Sequence, residues 1–197
     1  MSTDTQRQPH YPTEPVFVSR WSSRALTGET IPDEVLFSSF EAARWAPSGG
    51  NVQPWRFIYA KQGSLHWDKL YGLLNERNQI WAAQASALVL VLSRKTRESP
   101  EGPRPLRSHS FDAGAAWSNF AHQASLLGWT TRAIGGFKYE ETRSTLEIPP
   151  DYEIEIFIAV GRAGHNPTLP EDLRSGDRPS SRLPVAKLVA DGLFAFD

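Results

Sequence analysis

Apolar positions along this chain switch between two spacings. Some recur every three or four residues, as on one helix face, and others alternate or run together, as in strands. Leu36, Phe40 and Ala43 form the first helical stripe. Pro32, Asp33 and Glu34 open it, with proline at an early position and acids at the positive end of the helix dipole. Pro47 disfavours the α conformation at the residue before it, so the helix should stop near Ala46 and leave Pro47 to Gln53 as a loop. Trp55 to Ala60 (WRFIYA) is short, aromatic and alternating, which predicts a strand. Trp67, Leu70 and Leu74 predict another helix. Ala87 to Leu92 is an unbroken apolar run of strand length, as expected of a central strand covered on both faces.

The most regular helical pattern runs from Ala113 through Trp117, Phe120 and Ala124 to Leu127, with Gly128 as its stop. Its alanines, Ala113, Ala115, Ala116, Ala121 and Ala124, let another helix approach closely, so it should be the central helix. Glu153 to Val160 (EIEIFIAV) alternates strictly, which predicts a strand carrying Ile154, Ile156, Ile158 and Val160 on one face. Arg94 to Ser110 holds Pro100, Pro103, Pro105 and an excess of basic residues, and is expected to be a loop, either a lid or a solvated connector. Gly164 to Pro184, rich in proline and polar residues, should run over the surface. With no internal repeat, the pattern suggests one mixed domain over 16–197 behind a flexible N-terminal arm over 1–15.

Composition narrows the function classes. A chain of 197 residues is long enough for one well-buried core. A net charge of -1 argues against a general nucleic-acid binder and points to small-molecule partners. The lack of cysteine removes disulfides, thiolate zinc sites, thiol nucleophiles and Cys-ligated iron-sulfur clusters. The longest apolar run, Ala85 to Leu92 with one serine, is far short of the roughly 20 residues that cross a bilayer. Met1 to Glu14 lacks the apolar core of a signal peptide, so cytoplasm is the expected location. His10, His66, His109, His122 and His165 are scattered, so no metal site is expected. There is no Gly-x-Ser-x-Gly elbow, no phosphate-binding loop ending in Gly-Lys-Ser/Thr and no Gly-x-Gly-x-x-Gly, which takes support from hydrolase, nucleotidase and Rossmann assignments.

Two polar segments flank the first helix and carry the candidate chemistry. Arg20-Trp21-Ser22-Ser23-Arg24 puts two guanidinium groups beside hydroxyls, and charge-assisted bonds to phosphate are about twice as strong as neutral ones. Pro47-Ser48-Gly49-Gly50-Asn51-Val52-Gln53-Pro54-Trp55 offers a tight backbone and small polar side chains. Asn75-Glu76-Arg77-Asn78, Ala133-Ile134-Gly135-Gly136-Phe137 and Ser181-Arg182-Leu183-Pro184 follow in order. In that order, over roughly Ser19 to Pro184, the chain resembles the nitroreductase family of flavin enzymes.

The resemblance implies an α+β sandwich with a mostly antiparallel central sheet flanked by helices, in an intertwined homodimer with one flavin mononucleotide (FMN) in each groove between subunits. By the same likeness, Arg20, Ser22, Arg24 and Arg182 hold the phosphate and the neighbouring ribityl chain, and Asn75 meets the polar edge of the ring. Pro47, Ser48, Gly49 and Asn51 come from the other subunit to line ring and ribityl chain. Ile134, Gly135 and Gly136 lie near the hydride-accepting nitrogen, where the lack of a side chain on glycine lets the backbone approach a flat ligand. Trp21 belongs to this set, packed on the flavin or at the dimer interface. The chain departs from the family's usual pattern at Asn78, where many members carry lysine, at Gly135, where some carry glutamate, and at Ser180, where some carry a second basic group. A neutral Asn78 near the ring lowers the expected reduction potential.

The implied activity is hydride transfer from NADH or NADPH through FMN to a small electron-poor acceptor such as a nitroaromatic, quinone or enone, in alternating half-reactions. No catalytic side chain is required, because the flavin carries the chemistry. Two other classes stay open at this point: an FMN-binding carrier or sensor without reductase turnover, and a dimerisation module with no cofactor.

Overall fold

In a computed structural model that describes residues 7–167 and 169–196, the apolar run at Ala87 forms strand β2 (Ala87–Arg94), buried at every position except Arg94. Of the arm expected over 1–15, residues 1–6 lie outside the described part. Strand β2 is flanked by β1 (Trp55–Lys61) and by β6 (Tyr152–Gly161), and β5 (Thr130–Ile134) closes the other edge, giving the order β1-β2-β6-β5 with every pairing antiparallel. The sheet is thus entirely antiparallel among the described residues. Its apolar runs come from burial on both faces rather than from parallel pairing.

Side chains alternate across the sheet, so β2 feeds two separate cores. Leu88, Leu90 and Leu92 point to one face, where they pack with Leu70, Leu74 and Trp81. These come from α3 (Trp67–Gly72), the turn after it, and α4 (Glu76–Ala82). Also on this face are α6 (Tyr139–Thr145) and α7 (Glu171–Arg174), the latter contributing Leu173. Ala87, Val89 and Val91 point to the opposite face, against α2 (Asp33–Arg44) and α5 (His109–Leu126). Phe120 of α5 is fully buried there, with Phe40 of α2 edge-on at 5.2 Å between ring centroids. The result is helix, sheet and helix in three layers.

Four expectations need correction. The strand at Glu153 does not keep all its isoleucines on one face. Leu92 pairs with Ile154 but Val91 pairs with Ile156, so Glu155 is an extra residue, a β-bulge that turns Ile154 to the α3 side while Ile156, Ile158 and Val160 face α5. The bulged Glu155 accepts hydrogen bonds from Ser93 and, at 2.8 Å, from Ser110. The central helix begins at His109 rather than Ala113, because Ser108 accepts at its carbonyl the first helical bond, from Asp112 at 2.8 Å. The loop before it carries a two-stranded ribbon, β3 (Thr96–Arg97) with β4 (Arg104–Pro105). Finally, Gly164 to Pro184 does not stay wholly on the surface: Leu169 and Leu173 enter the core at 1% and 4% exposure. A short helix α1 (Pro15–Ser19), the helices α4 and α6, and strand β5 lacked a sufficient apolar period to be foreseen.

Candidate functional site

The arm Arg20 to Arg24 runs along the end of β5. Thr130 Oγ1 donates to the Trp21 carbonyl at 3.1 Å, and the Arg132 guanidinium donates to the Ser22 carbonyl while its charge lies over the Trp81 ring. Arg20 Nη1 donates to Ser22 Oγ at 3.2 Å. The segment 177–182 returns to this arm from the far end of the chain. Asp177 accepts from Ser23 Oγ at 2.8 Å and from the Arg24 and Ala25 amides at 2.7 and 2.9 Å, so its carboxylate fixes backbone rather than neutralising a guanidinium.

Among the described residues none of Arg7, Arg20, Arg24, Arg132 and Arg182 forms an ion pair with a carboxylate. They affect one another instead. Burial, and then the charge of Arg182, pull Arg20 below the ordinary arginine range. Burial and then Arg24 lower Arg132, with Asp177 opposing. Partly buried guanidiniums that repel one another form an arrangement that an anion such as phosphate would neutralise.

Three residues along β5, about 10 Å at strand rise, separate Arg132 from Gly135. There the chain crosses the loop before α4. The Gly136 carbonyl accepts from the Asn75 amide at 3.1 Å and from Asn78 Nδ2 at 2.8 Å, while Asn78 Oδ1 accepts from Trp81 Nε1 at 3.2 Å. A Cβ on Gly136 would lie 2.6 Å from Asn78 Nδ2, so a side chain there would displace the Asn78 amide. A Cβ on Gly135 would meet nothing within 4 Å. Its exposed backbone borders open space that a flat ring can fill, and Asn75 is exposed beside it. Ile134, just before, is 2% exposed and packs into the core, so it positions the glycines and offers only backbone to a ligand.

The Pro47 to Gln53 loop holds an unusual backbone: Gly50, Asn51 and Gln53 all have positive φ, at 59°, 55° and 52°. Several bonds impose it. Ser48 Oγ accepts from the Gln53 amide at 3.0 Å, Arg56 donates to the Gln53 carbonyl at 3.0 Å, and Asp112 Oδ2 accepts from the Gly49 amide at 3.2 Å and from Ser108 Oγ at 3.0 Å. Asp112 is 3% exposed in the first turn of α5, so the loop is anchored to the N-terminal end of that helix. The arm is anchored near its other end, where Phe17 packs on His122 at 4.7 Å. The 18 residues of α5 span about 27 Å. Within one chain, therefore, Arg20, Trp21, Ser22, Arg24 and Arg182 come together, Asn75, Asn78 and Gly136 come together, and Pro47, Ser48, Gly49 and Asn51 stand apart from both.

Sequence inspection missed Arg132, Asp112, Asp177 and Arg7. Arg132 left a faint signal as the one charge in Thr-Thr-Arg-Ala-Ile. The carboxylates left none, since their partners are 63 and more than 150 residues away. Among the described residues no group of three or more His, Asp or Glu is placed to hold a metal, and no helix is long and apolar enough to cross a membrane.

Comparison with known proteins bears on this site. The sequence profile of the Nitroreductase family matches residues 18–89 and 73–162 in two overlapping segments. A solved structure described as an oxidoreductase containing FMN is 42% identical, covers 100% of both chains and superposes with a TM-score of 0.94. A Desulfovibrio desulfuricans protein solved in complex with FMN is 26% identical, covering 93% of this chain and 100% of its own, with a TM-score of 0.70. Spy0809 of Streptococcus pyogenes serotype M6, whose name provisionally gives it as an NAD(P)H nitroreductase, is 25% identical over 86% of this chain and 94% of its own length.

Proposed function

The chain belongs to the nitroreductase family and has its α+β fold, and on that footing we propose an FMN-dependent oxidoreductase that takes hydride from NADH or NADPH and reduces a small electron-poor acceptor, such as a nitroaromatic, quinone or enone, by a ping-pong mechanism. The observation that carries this reading is the layout along β5: guanidiniums without carboxylate partners at one end, and an open glycine with an exposed asparagine at the other. That donor set fits FMN.

When bound, FMN supplies the two-electron chemistry. The chain supplies place and field. Arg20, Ser22, Arg24 and Arg182, with Arg132 behind them, would hold the phosphate; Asn75 would meet the ring's polar edge; and Gly135 would let backbone approach the ring. Asn78 is spent on Gly136 and Trp81, so it acts by fixing the glycine turn. No side-chain nucleophile is needed.

The distance between arm and loop supports a homodimer. A second α5 running antiparallel would bring the Pro47 to Asn51 loop of one subunit beside the arm of the other, so that each FMN would touch both. The exposed face of α5 suits such pairing, with small residues Gly114 and Ser118 between Phe111 and Leu126, which are 83% and 66% exposed. Residues 183–196 are all exposed and carry Leu188, Leu193 and Phe194, at 57%, 82% and 86% exposure, an apolar strap for a partner. Nucleic acid and membrane play no part in this scheme, and the cytoplasm is the proposed location.

The test is an absorbance spectrum of the purified protein, followed by anaerobic NADH and, separately, NADPH. A flavin band near ~450 nm that bleaches on mixing is the expected result. A protein that stays colourless after incubation with FMN overturns the proposal, and a yellow protein that neither donor bleaches is a carrier or sensor.

A further inference from the structure

Arg7 lies outside the segment matched by the family profile, yet its side chain reaches into the anion site. Nη1 donates to the carbonyls of Val18 and Arg20 at 2.8 and 2.9 Å, and Nε donates to the carbonyl of Ser180 at 2.9 Å. One guanidinium thus ties three stretches of chain together, 173 residues apart at the widest. Asp177 does the same at the other end of the arm through Ser23, Arg24 and Ala25. The carboxylate clamp costs nothing electrostatically beside arginines, but the Arg7 clamp does.

We propose that Arg7 is a positioning residue of the phosphate site, cross-linking the two cationic segments, 18–24 and 180–182, so that Arg20 and Arg182 face one anion. This rests on the FMN reading above. A third cation beside two others is a poor choice for holding loops together, and burial, followed by the charges of Arg182 and Arg20, lowers the basicity of Arg7. The arrangement gains when a doubly charged phosphate enters, because every guanidinium present then contributes attraction. Arg7 and Arg182 also line a cavity of about 230 Å³ together with Phe17, Val18 and Leu183. Arginine is required rather than any cation: a lysine ammonium is a single point on a flexible stem and cannot span three carbonyls in a fixed fork.

The experiment compares FMN with riboflavin, which lacks only the phosphate, by quenching of flavin fluorescence with the wild-type protein, Arg7→Lys and Arg7→Met. The expected result is an FMN dissociation constant raised about tenfold or more in both variants, with riboflavin binding unchanged. The salt dependence of FMN binding should also weaken in Arg7→Met and persist in Arg7→Lys. Full FMN affinity in Arg7→Lys overturns the positioning role in favour of a bare charge. Equal losses for both flavins overturn the phosphate assignment. Wild-type protein that binds neither flavin, while melting cooperatively, removes the FMN reading and this inference with it.

Discussion

The arm and the Pro47 to Gln53 loop are both held in costly states, but the costs differ in kind. At the arm the cost is electrostatic: Arg7, Arg20 and Arg182 sit within reach of one another with no carboxylate paired to them among the described residues. At the loop it is conformational, with Asn51 and Gln53 in the left-handed region at about 1–3 kcal/mol each. The loop's cost is offset from within the protein, by Asp112, Ser48 and Arg56. Among the described residues no carboxylate offsets the arm's cost, and on the proposed function the phosphate would. The loop is therefore a finished surface, while on the proposed function the arm would be completed by its ligand. Changes at the arm should alter ligand affinity and spare stability, and changes at the loop should alter stability first.

The largest expected effect tests the first half of that contrast. The Arg20→Ala/Arg24→Ala double variant should lose about 10²–10⁴-fold in FMN affinity, since each of the two lost hydrogen bonds to a charged group is worth about 1.5–3 kcal/mol. Its melting temperature without flavin should hold or rise, because a repulsive contact between Arg20 and Arg182 is gone. Inorganic phosphate should raise the melting temperature of the wild type by linkage and leave the double variant unmoved. A fall in the flavin-free melting temperature of several degrees would show that the arginines stabilise the fold and would break the comparison.

Next in size is Asp112→Ala, aimed at the loop. It removes the charged acceptor of the Gly49 amide and the Ser108 hydroxyl at a part-buried place, at a cost of about 1–3 kcal/mol. Denaturant unfolding should show that loss directly, with weaker FMN binding as a consequence of the displaced loop. If FMN affinity falls while unfolding is unchanged, Asp112 belongs to the ligand and the loop is not self-supporting.

The same contrast explains what the amino-acid order disclosed. Elements whose stability is local were legible: α2 through Pro32 and Pro47, α5 through its apolar period, and β2 through its unbroken run. The site segments were legible as ordered motifs, because each is contiguous. What was hidden depends on distant partners. The bulge at Glu155 is invisible in Glu-Ile-Glu-Ile because either register of those isoleucines is apolar, and only pairing with Val91 and Leu92 decides which face each takes. Strand β5 is short and follows Gly128 and Trp129, with Arg132 interrupting its pattern for the sake of the arm. Asp112, Asp177 and Arg7 look like ordinary surface charges until the fold brings Gly49, Arg24 and Ser180 to them.

At the ring end the structure combines both kinds of surface, and Gly136→Ala separates them. The added carbon would sit 2.6 Å from Asn78 Nδ2, whose amide is held between the Gly136 carbonyl and Trp81 and so cannot swing away freely. Stability should fall by roughly 1–2 kcal/mol through overpacking. Gly135→Ala meets open space and should leave unfolding unchanged while weakening flavin binding. Equal unfolding losses for the two variants would show that the space beside Gly135 is not kept for a ligand.

The smallest effect concerns electronics. Asn78 is neutral, and its amide is consumed by Gly136 and Trp81, so it adds no positive charge near the proposed ring edge. Asn78→Lys places a cation there, and a cation favours the anionic reduced flavin over the neutral oxidised one. A differential stabilisation of about 1.4 kcal/mol corresponds to a rise of roughly 30 mV in a two-electron couple. The same substitution removes one of the two bonds that hold the Gly136 carbonyl, so flavin affinity should drop slightly even as the potential rises. Spectroelectrochemical titration of the flavin-loaded variant separates the two. An unchanged midpoint potential would mean that position 78 lies beyond reach of the ring's charge, and its side chain would then belong to the pre-formed glycine turn alone.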